Sequence, residues 1–157
     1  MQIDEIDAKI LRAIQRDANL TFEQLAQQIA LSPSAVQRRL TRLRKEKIIE
    51  ATVSLINPRV ADLKFAAIVS LQMEVCRKAD IDAFMTWIAD KEEIQFCWYV
   101  SGEPDLLFFI QCRDVDRFQE IMNDMREVHT AIVKYRTMVV MRSLKRSHAI
   151  PCEVFNR

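Results

Sequence analysis

The stretch SPSAVQRRLTRLRKEK, residues 32–47, decides how this chain is read. Ser32 stands before Pro33. A serine caps a helix well, and proline suits the first helical position, where the missing N–H would have no partner anyway. Val36, Leu40 and Leu43 recur at helical spacing and predict one buried stripe. The other side offers Ser34, Gln37, Arg38, Thr41, Arg42 and Lys45. Charge sets this face apart. Residues 33–47 hold Arg38, Arg39, Arg42, Arg44, Lys45 and Lys47 against Glu46 alone, a local net of +5. A merely solvated helix face mixes signs, with acids spaced four residues before bases. Arg suits guanine, Gln suits adenine, and hydroxyls serve either base or phosphate. The candidate DNA contacts are therefore Ser32, Ser34, Gln37, Arg38, Thr41, Arg42 and Lys45. Arg39 and Arg44 fall nearer the core edge, placed to touch phosphate or to pack their stems.

Working upstream, two more helices are predicted. Residues 4–16 carry Ile6, Ile10, Ala13 and Ile14 at helical spacing, with Leu11 widening the stripe. Asp4, Glu5 and Asp7 suit its N-terminus, where the macrodipole favours acids. Thr21 with Gln24 forms a capping-box pattern, and Phe22, Leu25, Ala26 and Ile29 face inward behind it. That helix stops near Ala30 and Leu31. Two short helices joined by a tight turn, behind a third, make a helix-turn-helix whose last helix enters the major groove. Ile48 and Ile49 pack back on it.

Downstream the period changes from helical to alternating. Residues 51–56 read as a strand, ended by Asn57 and Pro58. Strands are expected at 65–75, 94–101, 106–112 and 132–141, with helices at 79–90 and 115–128. Ile81, Phe84, Met85 and Ile88 face inward from the first of these helices, and Phe118, Ile121, Met122 and Met125 from the second. The order is βαββαβ, the ferredoxin-like motif, so the fold class is α+β. We expect a DNA-binding domain at 1–50, a linker strand at 51–61, a ferredoxin-like domain at 62–144 and a tail at 145–157. Both faces of the sheet are apolar. One face carries Phe65, Ala67, Val69, Leu71, Met73, then Ile94, Phe96, Trp98, Val100, then Leu106, Phe108, Ile110. The other carries Ala66, Ile68, Cys97, Tyr99, Leu107, Phe109, Val133, Tyr135, Val139 and Met141. Helices cover one face only, so the second predicts burial against another copy in an isologous dimer. A dimer also suits a reader of two half-sites.

Composition excludes other classes. Half of the 157 residues are hydrophobic and 29% are charged, which argues for a folded core and against disorder. The net charge of +1 leaves any nucleic-acid argument to local charge. No apolar run reaches a membrane span, and the acidic, amphipathic start MQIDEIDAKI is unlike a signal peptide, so a cytoplasmic, nucleoid-associated protein is expected. Cys76, Cys97, Cys112 and Cys152 stand far apart without metal spacing and read as small buried hydrophobes. His129 and His148 form no cluster with them. No nucleophile–base pair, phosphate loop, metal set or cofactor motif is present, so no enzyme is expected.

Gly102 is the one glycine in the chain. Ala30 and Lys47 occupy turns where glycine would be natural. A positive φ between two strands is the simpler reason for Gly102, and close approach of backbone to a ligand is compatible with it. Glu103 and Asp105 beside it either receive an α-amino group or are solvated turn acids, and both readings stand.

Ile6-Asp7 to Leu11, Leu31-Ser32-Pro33-Ser34 with Val36, Arg39 and Leu43, Asn57-Pro58, Val100-Ser101-Gly102-Glu103 with Asp105, and Val139-Val140-Met141 occur in a specific order and spacing. In these pieces the chain resembles the leucine-responsive/asparagine regulator family, Lrp/AsnC, over nearly its whole length. The resemblance implies a winged-type helix-turn-helix and an amino-acid-responsive regulator. It implies dimers that assemble further, often to octamers, and amino-acid effectors held between neighbouring dimers. It places the effector loop at Ser101, Gly102, Glu103 and Asp105, with Tyr99, Thr137, Met138 and Val139 lining or coupled to that pocket. Lys47, Pro104 and His129-Thr130-Ala131 depart from the family pattern. The expected partners are double-stranded DNA and a small effector, and the alternative is a ligand-independent architectural DNA binder of the same fold.

Overall fold

The computed structural model describes residues 3–58, 60–74 and 77–151. It divides into two compact units, residues 1–55 with 145–157, and residues 56–144.

The first unit contains α1 (Glu5–Arg16), α2 (Phe22–Ile29) and α3 (Pro33–Lys45). All three begin on the caps that local chemistry offers. Asp4 and Asp7 form a reciprocal capping box on α1, Thr21 and Gln24 form one on α2, and Ser32 accepts from the Ala35 N–H with Pro33 in the first turn of α3. Ile10, Leu11, Leu25, Ala26, Val36, Leu40 and Leu43 are the buried core, with Ile48 and Ile49 packed against it. Two helices end without glycine. Ala30 stops α2 at φ 56°, and Lys47 follows α3 at φ 54°. Lys47 N–H donates to the Arg44 carbonyl at 3.1 Å and Ile48 N–H to the Leu43 carbonyl at 2.9 Å. This is the Schellman pattern, which satisfies the last carbonyls of the helix. The C-terminal tail, for which the sequence offered no role, joins this unit. Ile150 N–H donates to Gln15 Oε1 at 2.7 Å, and Gln15 Nε2 donates back to the Ile150 carbonyl at 3.4 Å.

The second unit is a four-stranded antiparallel sheet with two helices, its strands lying side by side in the order 94–99, 106–112, 65–73, 132–139. Its elements are β1 (Phe65–Met73), α4 (Lys78–Ala89), β2 (Ile94–Tyr99), β3 (Leu106–Cys112), α5 (Val115–Val128) and β4 (Ile132–Val139). The core between sheet and helices holds Ala67, Val69, Leu71, Phe108, Ile110, Phe84, Trp87, Phe118, Ile121, Met122 and Met125. Element order and the ferredoxin-like topology agree with the sequence reading.

Several details differ from it, and the strands expected through 101 and 141 end at Tyr99 and Val139. Residues 51–57 pair with no strand among the described residues, and Val53, Leu55 and Ile56 are exposed, so neither the linker strand nor a wing hairpin forms in the single chain. The strand expected through 75 ends at Met73; Val75, like Cys76 and Cys152, lies outside the described residues. On α4, Met85 is exposed and Trp87 takes the buried place. Trp87 gains a partner for its indole there, donating to Asp124 at 2.9 Å. The largest correction is in the sheet. A register shift between Ile94 and Phe96 inserts one residue into β2. One extra residue reverses the alternation. Cys97 then faces the helices opposite Phe108, while Phe96 and Trp98 pair with Phe109 and Leu107 on the open side. Directly opposed residues share a face. Tyr135 and Val139, paired with Leu71 and Ala67, therefore lie on the helix side, not on the open face expected for them. Met138, paired with Ile68, takes the open side.

His129 is buried at the end of α5, edge-on to Phe84 and Trp87, and its Nε2 atom has no hydrogen-bond partner among the described residues. Burial pushes its pKa below the ordinary value, against a smaller upward pull from Asp124 and Asp80. The folded pKa lies below the unfolded one, so the neutral ring favours the fold. That stability is whole above about pH 6.5 and is lost as pH falls from there through the folded pKa. Urea unfolding at pH 7.5 and 5.5 should show a loss on acidification that is smaller in His129→Phe. Equal losses in both proteins would refute it. Ala30→Gly removes a left-handed strain of about 1–2 kcal/mol while adding unfolded-chain freedom of about 0.4–1 kcal/mol. Its melting temperature should rise by a few degrees.

Candidate nucleic-acid interface and ligand loop

The exposed side of α3 is polar and basic. Ser34, Gln37, Arg38, Thr41 and Lys45 are all exposed and recur at three- and four-residue spacing. Arg44 and Lys47 are exposed as well, so Arg44 lies farther from the core than expected. None of Arg38, Arg44, Lys45 and Lys47 has an ion pair among the described residues. Ser32 is exposed but occupied: its Oγ lies 3.3 Å from the Ala35 N–H and 3.2 Å from Ser34 Oγ.

Arg42 is the exception on this face. Its guanidinium is held by Asp7 of α1. Arg39 reaches the same carboxylate at 2.8 Å and Asp4 at 2.6 Å. Asp7 is fully buried and also accepts from the Asp4 N–H at 3.2 Å. The Asp4 carboxyl is held below its usual range by the Asp7 N–H first and then by Arg39. The guanidinium of Arg39 is pushed up by its hydrogen bonds to Asp4 and Asp7, and that of Arg42 by its hydrogen bond to Asp7. Sequence reasoning assigned Asp7 only to the helix dipole. The signal was its place, four residues before Leu11 and three before Ile10, inside the apolar stripe.

In the second unit, Gly102 has φ +102°, and an added Cβ would meet nothing within 4 Å. Positive φ, not crowding within the chain, is what calls for glycine. Asp105 is a structural pin rather than a solvated acid. Its Oδ2 accepts from the Met73 N–H at 2.8 Å, and its own N–H donates to the Leu71 carbonyl at 2.9 Å. Glu103 and Pro104 border a cleft of about 150 Å³ with Ser70, Gln72, Lys134 and Arg136. Lys134 and Arg136 did not stand out in the sequence, because two bases in an edge strand look like solvated positions. Ser101 is exposed, and Tyr99 is exposed at the end of β2. Thr137 and Val139 line a different cleft of about 510 Å³ beside α5, with Phe65, Phe118, Met122 and Tyr135. Met138 stands on the open sheet face. One chain therefore does not gather the eight expected ligand residues into one pocket.

The open face carries Ile68, Phe96, Trp98 and Met138 exposed, with Leu107 and Phe109 half-buried. Phe96 and Trp98 stack with their ring centroids 5.6 Å apart. No helix among the described residues is long and apolar enough to cross a membrane.

Family models match both units: the AsnC-type helix-turn-helix domain over residues 3–44, and the Lrp/AsnC ligand binding domain over residues 66–150. The chain belongs to the Lrp/AsnC family. It is 34% identical over 154 residues to the HTH-type transcriptional regulator y4tD of Sinorhizobium fredii, covering 98% of this chain and 91% of that one. It is 27% identical to the leucine-responsive regulatory protein of Escherichia coli, covering 94% and 90%. Among solved structures it is similar to the transcriptional regulator NMB0573 of Neisseria meningitidis, solved as an L-Met complex. The TM-score is 0.87 at 25% identity, covering 96% and 97%. This Lrp/AsnC protein is thus a transcriptional regulator with a helix-turn-helix and a ligand-binding domain.

Asp105 in this Lrp/AsnC chain yields a test that separates structure from ligand. Asp105→Ala removes the carboxylate that accepts from the Met73 N–H, and a hydrogen bond to a charged group contributes about 1.5–3 kcal/mol. Calorimetry without any ligand should show a lowered melting temperature for Asp105→Ala, a smaller loss for Asp105→Asn, and none for Glu103→Gln.

Proposed function

We propose that the protein reads double-stranded DNA through Ser34, Gln37, Arg38, Thr41 and Lys45, with Ser32 capping the reading helix, and that an amino acid bound between second units changes its assembly. The observation that carries this reading is the exposed, acid-poor face of α3. Phosphates attract its bases, and its Gln suits base edges in the major groove. Residues 1–50 act as the DNA-binding domain and residues 62–144 as the effector and oligomerisation domain, joined by residues 51–61. The cytoplasm, at the nucleoid, is where such a protein meets its target.

The open apolar sheet face supports a homodimer, since a patch of this kind on a soluble protein calls for a partner. The scatter of the ligand residues supports a pocket completed between copies. In this reading, Ser101, Gly102 and Glu103 of one subunit meet Tyr99, Thr137, Met138 and Val139 of another, with Asp105 holding the loop in place. Further assembly to an octamer follows from such head-on contacts between dimers. The L-Met complex of the Neisseria relative makes methionine the first amino acid to try.

The test is a thermal-shift screen of the purified protein against the twenty amino acids, with selection of bound duplexes from a random library alongside. A ligand bound only by the native state raises the melting temperature by mass action. A rise with one or a few amino acids, and an enriched duplex motif whose binding changes with that ligand, is the expected result. An enriched motif that no amino acid affects would instead favour a ligand-independent architectural binder. Failure to retain any duplex would overturn the DNA reading.

A further inference from the structure

We infer that Asp7 is the positioning residue of the DNA-reading helix: its carboxylate claims Arg39 and Arg42, so these two hold α3 in place and the phosphate contacts fall to Arg38, Arg44, Lys45 and Lys47. The inference rests on the DNA-binding reading of α3 and assigns different tasks to bases that the sequence presents as one cluster.

The Asp7 side chain is 1% exposed, whereas those of Arg39 and Arg42 are 25% and 38% exposed. A carboxylate taken out of water needs charged or hydrogen-bonded partners, and removing one leaves a charge uncompensated. The Asp4 N–H, Arg39 and Arg42 supply those partners here. For Arg42 to reach a phosphate it would have to abandon this carboxylate. Arg38, Arg44, Lys45 and Lys47 are exposed and have no such competitor among the described residues.

The same geometry explains positioning. Apolar packing between α1 and α3 is non-directional. Charge-assisted hydrogen bonds from a guanidinium are directional. Arg39 and Arg42 lie about one turn apart on α3, so two points of that helix are tied to one point on α1. Two ties restrain both rotation about the α3 axis and sliding along it. Asp4 adds a second grip on Arg39. Asp4 and Asp7 also cap α1, where the helix dipole favours carboxylates. The direction in which Gln37, Arg38 and Thr41 point is therefore set from the first turn of α1.

The experiment uses the full chain and a mixed-sequence 40-base-pair duplex, with affinity measured across salt concentrations. Each phosphate contact contributes about 0.9 to the slope of log affinity against log salt. Arg38→Gln and Arg44→Gln should each lower the slope by about that amount per bound chain, and Arg42→Gln should leave it unchanged. Asp7→Asn should melt lower, keep or raise the slope, and blunt the base preference recovered from a random duplex library. A merely structural loss would lower the melting point without changing base preference in the folded protein. Asp7→Asn with Arg42→Gln should melt no lower than Asp7→Asn alone.

A slope reduced as much by Arg42→Gln as by Arg38→Gln would overturn the inference, because Arg42 would then leave Asp7 for DNA. Additive melting losses in the double variant would overturn it as well. If Asp7→Asn does not fold, Arg39→Gln and Arg42→Gln carry the slope and base-preference measurements. If the unaltered protein binds no duplex, the DNA reading itself fails and the assignment falls with it. The melting comparison then reports only on the ion pair.

Discussion

A carboxylate buried among three short helices has to be answered by cations, and in this protein both cations come from the helix that faces outward to read. Asp7 sits inside the apolar stripe of α1 and draws Arg39 and Arg42 across from α3. The small core around Ile10, Leu25, Val36, Leu40 and Leu43 supplies cohesion, but not direction. Direction comes from the ion pairs. A unit this small has few other means of fixing the angle of one helix against another, and that angle decides which side chains reach a groove. The bases without an ion pair among the described residues sit on the outer side, so in the proposed function the charges that hold the helix and those that bind are separated.

The second unit solves a different problem. α4 and α5 cover one side of its sheet, and the open side sets an apolar patch of Ile68, Phe96, Trp98 and Met138 beside the polar strip of Ser70, Gln72, Lys134 and Arg136. The register shift in β2 sharpens this asymmetry by turning Phe96 and Trp98 to the open side and Cys97 inward. Without that extra residue the open face would present a cysteine and a tyrosine in place of two large stacked aromatics. The ligand residues follow the same logic. The loop around Gly102 is pinned by Asp105 to β1, while Thr137 and Val139 line a cleft on the other side of the sheet. A pocket that uses both therefore needs more than one copy, which ties sensing to assembly in the proposed function.

The caps, the helix ends and the order of elements were legible in the residues because each depends on near neighbours. Ser32 with Pro33, Thr21 with Gln24, and the apolar spacings of α1, α3 and α5 act within a few positions of chain. Ala30 and Lys47 were also readable as turns, and both adopt the left-handed backbone that glycine would take more easily. The role of Asp7 was not legible in this way. It depends on residues more than thirty positions away, and an acid near a helix start has an adequate local explanation.

What the sequence by itself determined is the helix-turn-helix, the βαββαβ order, the basic face of α3 and the place of Ile68, Leu107 and Phe109 on the uncovered side of the sheet. These follow from periodicity, capping and local charge. Tertiary structure alone decided which arginines are held by Asp7 and which remain outside. It also decided which way β2 and β4 turn their side chains, and where residues 51–57 and the tail at Ile150 go. Each of those depends on a distant partner. A strand's register is set by its neighbour, and one inserted residue inverts every face beyond it. An arginine's task is set by whichever buried acid it meets across the core.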